Sequence, residues 1–178
     1  MHRQLFLAVA LGALTVAASF AQTPYAGLQT RPIKALSDQQ VEDLKAGRGM
    51  GLALAAELNG YPGPSHLLEL AVQLGLSDEQ KKRIQGLFEA MKAETILIGE
   101  RLISEEKILD ALFASRTATV DTIAAATAAI GDTQARLRAA HLKYQLSTVD
   151  MLQPAQLQRY AELRGYAGGG GEPHHHPR

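Results

Sequence analysis

Three short segments share one pattern, and each stands where a helix should begin: Leu36-Ser37-Asp38-Gln39-Gln40, Leu76-Ser77-Asp78-Glu79-Gln80 and Leu152-Gln153-Pro154-Ala155-Gln156. In the first two, Ser37 and Ser77 can cap the first turn, while Gln40 and Gln80 reach back to the cap residue's own N–H. Leu36 and Leu76 precede the caps and can staple each helix to its neighbours. In the third copy Pro154 takes the first helical position, where a missing N–H costs nothing. With helix starts fixed at these places, few architectures stay open.

Stop signals supply the other ends. Gly60 and the break Tyr61-Pro62-Gly63-Pro64 predict a first helix from about Asp38 to Leu58. Inside it, Gly47, Gly51 and Ala55 recur every four residues and would make a smooth face for close approach of another backbone, in the same chain or across a dimer. The alternative is a weak or kinked helix around Gly49, because three interior glycines cost about 2–3 kcal/mol relative to alanine. A short helix, Ser65 to Leu74, precedes Gly75. The longest element should run from Asp78 to about Ala114, where Ile84, Leu87, Met91, Thr95, Ile98, Leu102, Leu109 and Leu112 follow mostly three- and four-residue steps. Such a rod is roughly 55 Å long.

Arg116 and Thr117 mark a turn and Thr119 the next cap. From Val120 to about Met151, the line Ile123, Thr127, Ile130, Gln134, Leu137, His141, Tyr144, Thr148 and Met151 has the spacing of a helix packed lengthwise on another. Leu142, Leu146 and Val149 form a second apolar line. A last helix, Pro154 to Arg164, stops at Gly165. The expected fold is all-α: a long antiparallel helical hairpin with shorter flanking helices, cradle-like, its surplus apolar face covered in a homodimer.

The flanks read differently. Arg3, the apolar run Leu5 to Ala18 and the small residues around Ala21 make residues 1–21 a signal peptide cut near Ala21, too short in its apolar part to span a bilayer. Residues 22–35 are an extended leader, 36–166 the helical domain, and 167–178 a flexible Gly/His tail. Lys plus Arg and Asp plus Glu number 18 each, so nothing electrostatic points to nucleic acid or an anionic membrane. The absence of cysteine removes disulfides, thiol catalysis and thiolate metal sites.

No catalytic grouping stands out, and the chain reads as a non-enzyme without a cofactor. His141 has no carboxylate or hydroxyl partner at a motif-like spacing. His174, His175 and His176 can bind Zn, Cu or Ni through neutral imidazoles, although three adjacent histidines do not easily fill a tetrahedral site alone. Leu87, Met91, Ile98, Leu102, Leu137 and Tyr144 are the expected apolar contacts for unfolded polypeptide, some of them serving as core, with Lys and Glu on the rim.

The repeated L-[ST]-x-x-Q signature, carried by Leu36, Ser37 and Gln40, by Leu76, Ser77 and Gln80, and in a looser form by Leu152 and Gln156, resembles the Spy/CpxP family of periplasmic proteins. That family overlaps with CnrX/ZraP-like metal-resistance and sensor proteins. The resemblance covers most of Leu36 to Tyr166, with Gln153 standing where Thr or Ser is usual. It implies a dimeric, ATP-independent periplasmic chaperone or envelope-stress adaptor for unfolded envelope proteins, with a membrane sensor kinase as a further partner. The other branch it implies is a heavy-metal sensor or resistance protein. That branch carries an H-x-x-x-H pair on its first long helix, whereas Asp38 to Gly60 holds no histidine and Gln145 stands one turn after His141. No ligand set carries over.

Overall fold

A computed structural model of the chain describes residues 25–166. The expected signal peptide, residues 1–21, and the tail with His174, His175 and His176 lie outside them. The described residues form helices and turns with no strand: a 3-10 turn (Leu28–Thr30), then α1 (Asp38–Lys45), α2 (Leu54–Glu57), α3 (Pro64–Glu69), α4 (Asp78–Ala114), α5 (Val120–Val149) and α6 (Pro154–Leu163). No helix among them is long and apolar enough to cross a membrane.

The predicted starts of α1, α4, α5 and α6 hold. At α1 the Gln40 N–H donates to Ser37 Oγ at 3.1 Å and the Ser37 N–H to Gln40 Oε1 at 2.9 Å. Ser77 and Gln80 repeat this at α4, and Thr119 and Thr122 at α5. At α6 the Gln153 N–H donates to Gln156 Oε1 at 2.9 Å.

The first helix departs from expectation. It stops at Lys45, and residues 46–53 are turn and irregular chain before the single turn of α2. Gly47 takes φ +66°, its N–H donates to the Leu44 carbonyl, and the Arg48 N–H donates to the Asp43 carbonyl at 2.9 Å. Those two bonds are a Schellman ending. The glycine that seemed to lie inside a helix is the one that closes it. Gly47 and Gly51 therefore form no smooth helical face, although Gly47 does permit close approach: a Cβ there would lie 2.7 Å from Thr95 Oγ1. The third helix is also shorter than predicted, with residues 70–74 in turns.

α4 and α5 are joined by residues 115–119 and touch along most of their length. Near one end the Gln80 amide donates to the Met151 carbonyl at 2.8 Å; further along, Lys143 and Tyr144 reach Glu94. Two apolar clusters rest on this pair. Ile33 and Leu44 pack with Leu102, Ile103, Ile130 and Leu137, while Leu67, Leu74, Leu76, Ile84, Leu152 and Tyr160 pack around the α4 start and α6. The apolar stripe that the sequence leaves over for a twin is thus partly covered by the chain's own residues 33–64. Gly99 makes this possible, because a Cβ there would sit 2.5 Å from the Leu44 carbonyl oxygen.

Candidate functional site

Segment 46–64 crosses α4 and α5 and carries Glu57 into the interior, where it is 4% exposed. A carboxylate there needs partners, since an unpaired buried charge is costly. Oε1 accepts from the Tyr160 hydroxyl and, at 3.3 Å, from Tyr166. His66 Nδ1 lies 3.3 Å and Arg164 Nε 3.6 Å from the same oxygen. Oε2 accepts from the Gly63 N–H at 3.2 Å and the Gln145 amide at 3.4 Å. Burial pushes the Glu57 carboxyl up, but His66, Tyr160 and the Gly63 N–H together hold it below the ordinary value. Burial first, and then the adjoining carboxylate, push the Tyr160 phenol up, so it remains a donor.

One turn before Gln145 lies His141, 3% exposed, with burial holding its imidazole below the usual histidine value and therefore neutral. Both residues line an open cavity of about 240 Å³, with Gly49, Met50, Leu54 and Met91 among its other walls. Met50 sits there with φ 44°, uncommon for a non-glycine residue. Sequence reasoning missed Glu57, Tyr160 and the role of Gln145. A lone acid before a Gly/Pro break reads as surface, and Gln145 carries no signal beyond its spacing from His141.

Two apolar grooves flank α5. One, of about 590 Å³, is lined by Leu36, Gln40, Leu44, Leu52, Leu102 and Leu137, with Gln134 and Arg138 at hand. The other, of about 600 Å³, has Leu97, Ile98, Ala139 and Ala140 between Glu94, Arg136 and Lys143. The predicted contact residues divide accordingly. Leu102 and Leu137 are buried groove floor, Met91 is a buried wall of the cavity beside His141, and Tyr144 is buried with its hydroxyl donating to Glu94 at 2.9 Å. All four are largely buried within the chain itself, Leu102 and Leu137 against Ile33 and Leu44. Leu87 and Ile98 are half-buried. Leu97, absent from the predicted set, is 69% exposed on the groove wall.

The motif glutamines do more than cap. Gln80 Nε2 donates to Gln156 Oε1 at 2.8 Å, and Gln156 Nε2 returns a bond to Gln80 Oε1 at 3.1 Å. Leu76 and Leu152 are buried in one cluster beneath this amide pair. The second and third copies of the motif therefore clasp α4 to α6, while Gln40 of the first faces the apolar groove. Among the described residues, no group of three His, Asp or Glu side chains comes together as a metal site. No family model matches the chain, and no curated protein or solved structure matches it.

Proposed function

We propose that the chain holds unfolded polypeptide without nucleotide, as a periplasmic chaperone or envelope-stress adaptor. The observation that carries this reading is the pair of open apolar grooves along α5, each bordered by charge. An extended client lays its aliphatic and aromatic side chains on Leu97, Ile98, Ala139 and Ala140 while its backbone stays wet, so no sequence is demanded. Arg136, Lys143 and Glu94 at the border speed encounter. The α4–α5 pair acts as the cradle, and a second copy extends it.

The test is light scattering from a heat-unfolded, unrelated client mixed with equimolar full-length protein. Suppressed aggregation is expected, and Leu97→Glu should weaken it severalfold at unchanged helicity, since that side chain is exposed. Aggregation that proceeds unchanged with the wild type, or suppression equal in the variant, removes the proposal.

A further inference from the structure

The strap between Gly47 and Gly60 is held down chiefly by one side chain. Of residues 48–59, Glu57 alone is buried, while Met50, Leu54 and Leu58 are exposed and Leu52 adds a half-buried contact to the Leu44 cluster. The partners of Glu57 all belong to other parts of the chain. Gly63 and His66 lie around α3, Gln145 on α5, and Tyr160, Arg164 and Tyr166 on α6 or just after it. Gly47 and Gly60, at the two ends of the strap, take φ +66° and +87°, the region where glycine turns without strain. A Cβ at Gly60 would meet nothing within 4 Å.

The strap closes imperfectly over α5. His141 and Gln145, which face its Gly49 and Glu57, each keep a buried polar atom without a partner, and such atoms raise the free energy of the closed state. Met50 adds backbone strain at φ 44°. The open cavity of about 240 Å³ remains between the strap, α5 and a fixed wall of Ser65 and His66 on α3. Met50 is also a wall of the 590 Å³ groove over Leu102 and Leu137, so the strap is the partition between cavity and groove. We propose that residues 48–59 are a lid on α5, latched by Glu57 and hinged at Gly47 and Gly60, whose opening joins cavity and groove into one trough for an extended polypeptide. This rests on client capture as proposed above and adds its regulation, since an arriving chain must displace the lid to reach Met91. Once the lid lifts, Glu57 no longer holds the Gln145 amide and Gly49 no longer lies against the His141 ring, so both side chains can turn to water. The bonds of Glu57 oppose that gain, and weakening them moves the lid.

The chain has no cysteine, so a single introduced thiol can report on the lid. Met91→Cys places it at a buried wall of the cavity, and Ile84→Cys, in the other apolar cluster, is the control. Maleimide labelling is timed in the full-length protein. Glu57→Gln strips the charge from the latch, so Met91→Cys should react about tenfold faster at unchanged circular dichroism, and Ile84→Cys should not change. Tyr160→Phe takes one donor from the latch and should give a smaller, severalfold rise; if Glu57→Gln does not fold, this variant decides by the same comparison. Reduced insulin at room temperature then serves as the client, and Glu57→Gln should suppress its aggregation at about half the protein concentration that the wild type needs. The proposal fails if the latch variants leave Met91→Cys labelling unchanged or if Ile84→Cys speeds up equally. It fails also if Glu57→Gln suppresses no better than a wild type that does suppress. A wild type that suppresses nothing, while the thiol opens as expected, removes client capture and leaves the lid standing.

Discussion

Glu57 shows how one residue can set the pH response of a fold. Replacing it by Ala strips the acceptor from Tyr160, Gly63 and Gln145 and the counter-charge from Arg164, and should lower stability by about 3 kcal/mol in urea unfolding. Its carboxyl titrates lower in the folded chain than in the unfolded one, so the unfolded chain takes the proton first. The stabilisation is complete above the ordinary value of 4.5 and is lost as pH falls through the folded value. His141 acts in a higher window. It too is depressed on folding, so below its ordinary 6.5 the unfolded chain binds a proton that the folded chain resists. Urea midpoints should therefore fall in two stages on acidification. His141→Gln should flatten the upper stage and Glu57→Gln should diminish the lower one, which Glu94 and Asp43, also held low by their partners, share. Arg116 offers a gain instead: its φ of 57° strains any residue with a Cβ, and Arg116→Gly should raise stability by about 1 kcal/mol.

Among the elements, two glycines of α4 should respond oppositely to the same change. Gly99→Ala drives a methyl against the Leu44 backbone and should cost about 2 kcal/mol by forcing α1 off α4. Gly86 has open space around it, and Gly86→Ala should stabilise α4 by about 0.5–1 kcal/mol. A double-mutant cycle on Gln80 and Gln156, each changed to Ala, should give a coupling of roughly 1 kcal/mol; additive losses would dissolve the clasp. These elements also mark how far sequence reasoning reaches. Caps and stops are local chemistry, so α4 appears over its whole length and α5 and α6 to within two residues. Gly47 misled because a glycine closing a helix and one smoothing a helical face look the same until the partner of the next N–H is known. The site was less legible still. Glu57 meets Tyr160 across 103 residues, and no local spacing announces such a meeting.

At the scale of the molecule, order should be uneven. Ile108, Phe113 and Val120 are exposed around the α4–α5 turn, and neither apolar cluster includes them. Amide hydrogen exchange should be fastest there and slowest around Ile84 and Thr95, which are fully buried; uniform protection would contradict this gradient. The contact between Glu57 and the last helix bears on how the chain comes into being. A polypeptide emerging N-terminus first holds that acid with no phenol to receive it until Tyr160 has left the ribosome. A product ended after Asp150 also lacks Leu152 and Gln156. Such a fragment should remain susceptible to trypsin, and adding residues 151–166 as a separate peptide should restore resistance.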